Sequence, residues 1–416
     1  MSSIKQDERI HILGTGALGK FLAFNLREGQ DLPRISLLFH SRKEYKRWEH
    51  ASGGKVILKT DGVELERSGF DIEWAIPIPR RHGQEIGFNS NTSTPMDNGS
   101  RGGSFDFPLG IPTVDTSSID GTSNDPIRYL IVTTQASHVM SSIGAIRHRI
   151  TPETSILFFQ KAMGFLDEIN KEYFPDPATR PNYLVGSCSH VVSSANSFTV
   201  VHETHGTIFV GLPVWQAPKT IYSSSSKSHK ELLGQLPQPS LALMRSLTRI
   251  PLLSATPMGP TDLFQLQLEK LAVNAIIGPI TVLCDVRNGS LLYNFRITRV
   301  FRLLISEISL VIRSLPELQG LPNLHTRFAP ERLENIVVGN LGKTAGQVSV
   351  MLKEAREGGR REIQYVTGYF VKRGEEVGVK CFMNYLIMQL VMGKMTMIEQ
   401  EMEGFIPFAG LVKGGK

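Results

Sequence analysis

The chain has 416 residues, of which 41% are hydrophobic and 20% charged, with a formal net charge of +6. This length suffices for two domains, and the composition is that of an ordinary globular protein, not of a disordered or fibrous one. The small positive excess is not gathered into one block, so it suits an anionic cofactor and substrate without calling for nucleic acid.

Cys188, Cys284 and Cys381 lie far apart and form no C-x-x-C. They read as buried free thiols in a reducing compartment. No apolar run reaches the roughly 18 residues of a membrane span. A secretory h-region is missing, and Asp7 and Glu8 argue against an Arg-rich transit peptide. A cytoplasmic location is expected, with a mitochondrial one left open, and no membrane partner.

The first element is the apolar strand Ile10-His11-Ile12-Leu13, followed directly by Gly14-Thr15-Gly16-Ala17-Leu18-Gly19. A strand ending in G-x-G-x-x-G and opening into a helix is a dinucleotide-binding fingerprint. Gly14 permits the tight turn, Gly16 lets backbone approach a pyrophosphate, and Gly19 lets helix pack on strand. Lys20 to Leu26 continues as an amphipathic helix, and Ile35 to Phe39 is the next strand. A site for NAD usually offers Asp or Glu at this point. Here the strand ends in His40-Ser41-Arg42-Lys43. A guanidinium and an ammonium suit a 2′-phosphate, so NADPH is expected over NADH, with Arg42 as its phosphate ligand.

Lys55 to Lys59 and the Asp61-Gly62 turn predict a hairpin. Residues 77–125 are low in complexity and predicted to be largely disordered. Strands at Tyr129 to Thr134 and Ser155 to Phe159 flank a helix from about His138 to Arg149. This alternation predicts a parallel, doubly wound sheet. Residues 184–212 turn β-rich, with Phe198 to His202 and Thr207 to Val210 expected to form a hairpin. His202-x-x-His205 therefore reads as part of a turn and no metal site is expected. Ser187, Cys188 and His190 show no nucleophile elbow and read as structural. A Ser- and Pro-rich stretch, 216–240, is expected to be a linker or mobile loop. Helical periodicity then predicts Leu263 to Ile277, Phe295 to Ser314, Pro330 to Leu341 and Lys380 to Glu403, with Gly278-Pro279 closing the first. Met388, Met392, Met395 and Met397 read as core or interface filler. The domain reading is an α/β Rossmann-type unit over 1–215 and an all-α unit over 241–416.

In the first of these helices Lys270 and Asn274, four apart, share a face. Lys270-x-x-x-Asn274, then Asn288-Gly289, then Arg361-Glu362-Ile363-Gln364-Tyr365 resemble the C-terminal signature of ketopantoate reductases (2-dehydropantoate 2-reductases). Gly14 to Gly19, the arginine after the second strand and the loop Phe159-Gln160-Lys161-Ala162-Met163-Gly164 agree with that family. The resemblance implies a helical unit like the C-terminal domain of 6-phosphogluconate dehydrogenase. It implies NADPH-dependent reduction of 2-dehydropantoate, or a related branched 2-keto acid, for coenzyme A synthesis. Lys270 would protonate the ketone oxygen and stabilise its developing charge. Glu362 would accept from a substrate hydroxyl and help orient Lys270. Asn274 and Asn288 would bind substrate.

The chain departs from the family pattern at four places. Gln135 stands where the family has a lysine near the cofactor, and Lys161 replaces a loop asparagine. Gly278 replaces an asparagine, and Val350 a substrate-contacting serine to which Ser349 is adjacent. Gln135 and Lys161 are expected on the cofactor side and Ser349 on the substrate side. The expected partners are the keto acid and at most a second copy of the chain as a homodimer. A catalytically impaired relative acting as a binding or regulatory factor is the alternative reading.

Overall fold

The computed structural model describes residues 8–27, 33–75, 80–81, 84–85, 123–216, 236–358 and 362–402. The expectations of disorder over most of 77–125 and of a mobile stretch over most of 216–240 lie outside the described residues.

The N-terminal half builds one eight-stranded sheet. Its strands are β1 (Arg9–Leu13), β2 (Arg34–Phe39), β5 (Asp71–Trp74), β8 (Ile127–Val132), β9 (Ile150–Phe158), β10 (Asn182–Cys188), β13 (Ile208–Gly211) and β14 (Ala255–Pro257). They run in the order β5-β2-β1-β8-β9-β10-β13-β14. The first six are mutually parallel, while β13 pairs antiparallel with β10 from Val185↔Gly211 to Cys188↔Ile208. Numbered along the chain, those six strands have the order 3-2-1-4-5-6, the arrangement of a doubly wound dinucleotide fold. The order reverses between β1 and β8, where Ile10 faces Tyr129. The crevice at the carboxyl ends of those two strands is where such sheets bind ligands. Helices α1 (Ala17–Leu26), α2 (Arg42–Ser52), α3 (Ala136–Ile146) and α4 (Phe165–Glu172) make the crossovers between strands. Each central strand is buried on both faces, which is why it reads as a continuous apolar run instead of alternating.

Helix α1 is not amphipathic in its surroundings. Every residue from Gly19 to Leu26 is buried, because a second sheet covers the face that would otherwise meet water. This sheet has the order β11-β12-β3-β4, built from β3 (Val56–Thr60), β4 (Val63–Arg67), β11 (Val191–Ser194) and β12 (Thr199–Thr204). The predicted hairpin at Asp61-Gly62 is present, with φ of 50° and 78° at those residues. The second predicted hairpin is not. Thr199–Thr204 pairs with β11 and β3, while Ile208–Gly211 pairs with β10 and β14 in the main sheet. The turn after Thr204 therefore carries the chain from one sheet to the other. Local alternation cannot distinguish two strands that pair with each other from two that pair elsewhere.

His202 and His190 are buried at that junction. His190 Nε2 donates to Leu253 O (3.0 Å), so its Nδ1 is an acceptor for Gly206 N–H (3.1 Å) and His202 Nε2 (3.0 Å). The Thr60 hydroxyl then donates to His202 Nδ1 (3.2 Å). Every ring nitrogen is used with both imidazoles neutral, and burial holds both pKa values below the ordinary histidine range. Among the described residues no group of His, Cys, Asp or Glu could hold a metal ion.

The chain returns to the sheet after residue 235. Helix α5 (Gln238–Thr248) packs on β9, and β14 adds an edge strand, so the sheet layer extends to Pro257. The remainder is helical: α6 (Pro260–Cys284), α7 (Phe295–Ser314), α8 (Leu324–Arg327), α9 (Pro330–Lys343), α10 (Val350–Arg356), α11 (Ile363–Glu376) and α12 (Phe382–Met402). Helix α6 does not stop at Gly278-Pro279. Pro279 removes one backbone bond at a cost of about 3 kcal/mol. Ile280 and Val282 beyond it are 3% and 0% exposed, and burying each contributes about 1.5–3 kcal/mol, so tertiary packing carries the helix to Cys284. The same helix is long and apolar enough to cross a membrane, yet it is the central helix of this layer, with α7, α9, α10, α11 and α12 against it. Met395 is core, whereas Met397 is exposed. Of the three cysteines expected to be buried, only Cys381 is; Cys188 is half-buried and Cys284, the last residue of α6, is exposed.

Candidate active site

The glycine turn after β1 has the geometry of a phosphate cradle. Gly14 adopts φ of +111°, and a Cβ there would stand 2.7 Å from Thr134 N and 2.8 Å from Thr133 Oγ1. A Cβ on Gly19 would fall onto the Gly14 carbonyl oxygen. Around a Cβ on Gly16 nothing lies within 4 Å, so the turn is open on that side only. The first backbone bond of α1 is Lys20 N–H to Gly16 O. The amides of Ala17, Leu18 and Gly19 therefore have no acceptor within the helix. Open space in front of free amides at a helix start fits the pyrophosphate of a nicotinamide dinucleotide.

Past β2, Ser41 caps α2 by accepting from Glu44 N–H (3.2 Å). Arg42 is the first residue of that helix, and Lys43 is exposed beside it. The sequence reading found no carboxylate at the strand end, but the fold supplies one from one turn further on. The Thr15 hydroxyl in the glycine turn donates to Glu44 Oε1. The signal in the sequence is the spacing Ser41-x-x-Glu44.

Lys270 projects from α6 towards the end of β10. Its ammonium donates to Ser187 Oγ (2.7 Å) and Cys188 O (3.2 Å). Burial, together with the nearby Lys161 charge, lowers its pKa, and the Cys188 side chain opposes this. Ser187 and Cys188, read as structural, thus hold Lys270. The Lys161 charge also favours the Glu362 carboxylate. Its loop is pinned on both sides. Gln160 Nε2 donates to Val132 O and Thr134 O, and Met163 N–H donates to Tyr365 O (3.0 Å) on α11.

Glu362 stands at the start of α11. Burial raises its pKa, while the Ala136 amide and Lys161 oppose the rise. Its contact is with the head of α3, and the groups that orient Lys270 are Ser187 and Cys188. A second carboxyl that sequence reasoning missed lies beside it. Glu354 on α10 is 6% exposed, and burial, with the neighbouring Glu362 and Glu357 charges, pushes its pKa up to about 8. The Gln135 amide approaches Glu354 but falls short of hydrogen-bond geometry with either oxygen.

The remaining expected residues differ in their freedom to bind. Asn274 is half-buried on the Lys270 face, one turn on. Asn288 is buried, donates to Thr344 Oγ1 (2.9 Å), and leaves Oδ1 without a partner. Ser349 caps α10 by accepting from Leu352 N–H (3.1 Å). Thr281 gives its own proton to Gly278 O (2.8 Å), so the 2.6 Å contact between the hydroxyls makes Ser349 the donor. The one proton of the Ser349 hydroxyl is thereby engaged, which leaves it no hydrogen bond to donate to a substrate.

A doubly wound sheet with a nucleotide cradle, set against a helical layer that presents a half-buried lysine, defines an NAD(P)-dependent oxidoreductase. The chain belongs to the ketopantoate reductase family. Residues 94–214 match the model described as ketopantoate reductase PanE/ApbA, and residues 262–395 match its C-terminal model. A probable 2-dehydropantoate 2-reductase from Schizosaccharomyces pombe is 24% identical over 65% of this chain and 74% of its own length. A ketoisovalerate reductase from Beauveria bassiana is 22% identical over 89% of this chain and 79% of its own. The cytochrome B translational activator CBS2 of Saccharomyces cerevisiae is 23% identical over 66% and 76%. Among solved structures, a D-mandelate dehydrogenase bound to NADH and anilino(oxo)acetate shares the fold with a TM-score of 0.62, at 15% identity over 94% of this chain and 99% of that one.

Proposed function

We propose that the chain reduces 2-dehydropantoate, or a related branched 2-keto acid, to the 2-hydroxy acid with NADPH. The observation that carries this reading is Lys270, an ammonium with lowered pKa held by Ser187 and Cys188 at the junction of the sheet and the helices. A reduced nicotinamide supplies hydride when bound. Lys270 donates a hydrogen bond and then a proton to the ketone oxygen, and its lowered pKa eases that transfer near neutral pH. Asn274 and the unpartnered Asn288 Oδ1 serve the substrate's polar groups. Glu362, shifted towards its protonated form, meets a substrate hydroxyl, and Lys161 adds positive charge for the substrate carboxylate. Arg42 and Lys43 favour the 2′-phosphate of NADPH.

The similarity to a translational activator favours a second reading, in which the fold and cofactor site persist but serve binding or regulation. A turnover assay with NADPH and a panel of branched 2-keto acids separates the two. The reductase reading expects oxidation of NADPH with at least one acid, and a loss of about 10²-fold or more in kcat for Lys270→Ala. Nucleotide binding without turnover of any acid supports the second reading.

A further inference from the structure

Glu44 is placed unlike an ordinary helix-start glutamate. Ser41-x-x-Glu44 is the sequence of a capping box, in which the glutamate side chain returns to the amide of the cap residue. Here only half of the box forms. Ser41 Oγ accepts from Glu44 N–H, but the Glu44 carboxylate turns away and takes the Thr15 hydroxyl in the glycine turn. Its other oxygen, Oε2, is buried and 3.2 Å from His40 Nδ1 without a hydrogen bond. A buried carboxylate oxygen lacking a donor is costly. The carboxylate stands between the phosphate cradle and the end of β2, where dinucleotide folds place the acid that takes the ribose hydroxyls.

We propose that Glu44 is the ribose-binding carboxylate of this site and a determinant of nucleotide choice. The inference rests on the reading of the glycine turn as a nicotinamide nucleotide site. Arg42 and Lys43 favour a 2′-phosphate, and Glu44 opposes it by like charge while accepting from the free ribose hydroxyls of NADH. The site therefore carries determinants for both nucleotides, and Glu44 narrows the preference for NADPH that the two cations would set alone. Thr15 is the positioning residue that aims the carboxylate.

The test is equilibrium binding of NADH and of NADPH, each alone, to the full chain, followed by dihydronicotinamide fluorescence and requiring no turnover. Glu44→Gln should weaken NADH by about tenfold or more and leave NADPH unchanged or tighter. Thr15→Ala should move the ratio of the two affinities in the same direction by a smaller factor. A ratio within twofold of the parent in Glu44→Gln overturns the inference, as does an equal loss for both nucleotides, which marks a structural role. If the parent binds neither nucleotide, the cofactor reading itself fails and takes this inference with it. If the parent binds both and the variants keep its ratio, only the role of Glu44 fails. Should Glu44→Gln not fold, Thr15→Ala carries the same test.

Discussion

Two glycines in one turn, three residues apart, should respond to the same substitution in opposite ways. Gly16 has φ −68° and ψ −176°, a backbone that alanine adopts freely. With nothing within 4 Å of its Cβ, Gly16→Ala meets no steric cost. The gain from a stiffer unfolded chain, about 0.4–1 kcal/mol, roughly offsets the poorer helix cap. Net stability should change by less than about 1 kcal/mol. Its methyl group, however, occupies the open side of the cradle. Losing one charge-assisted amide–phosphate bond, about 1.5–3 kcal/mol, weakens nucleotide binding by about 10- to 100-fold. Gly19→Ala places its methyl on the Gly14 carbonyl oxygen and 2.7 Å from Thr133 Oγ1. Backbone must move, and overpacking of this kind costs about 1–3 kcal/mol or more. It also disturbs the Thr133 hydroxyl bond to Gly14 O (2.8 Å). Thermal unfolding without nucleotide, beside a fluorescence titration with NADPH, reads both effects. The reasoning is refuted if Gly16→Ala melts as early as Gly19→Ala, or binds NADPH as tightly as the parent.

Two further outcomes follow from buried ionisable groups. Glu354 is raised from 4.5 to about 8 in the fold. Between those values the unfolded chain gives up a proton that the folded chain keeps, so this group lowers stability as pH rises from 4.5 through about 8. Glu354→Gln should raise the melting temperature at pH 8 far more than at pH 4.5, with a difference on the order of a few kcal/mol. Equal shifts at both pH values would rule this out. His190 and His202 are lowered from 6.5 in the fold. Above 6.5 they are neutral in both states; below it the unfolded chain takes up protons first, and stability falls. His202→Phe should flatten the dependence of melting temperature on pH below 6.5. A slope equal to that of the parent would show that the histidine pair does not control acid stability.

How much of this molecule can be read without its structure depends on how local each signal is. The strand–turn–helix at Gly14 to Gly19, the Asp61-Gly62 hairpin and the long helices are set by neighbours within a few residues. Turn chemistry and apolar periodicity therefore determine them directly. Lys270 and Glu362 were legible through their resemblance to a family, which carries order along the chain but no distances. Contacts between remote segments were not legible. That Thr204 and Ile208 belong to different sheets, that α1 is covered on its outer face, and that α6 outlasts Pro279 all depend on what packs against each segment. The same is true of Glu44 turning from its own helix to Thr15, of Ser187 holding Lys270, and of Glu354 being buried beside Glu362. The sequence by itself determined the nucleotide fingerprint, the succession of elements and the residue types available for chemistry, because these follow from short-range sterics and period. Only the tertiary structure decided which side chains lose water and which charges meet, because desolvation and Coulomb energy depend on distances that segments remote in the chain acquire only when packed together.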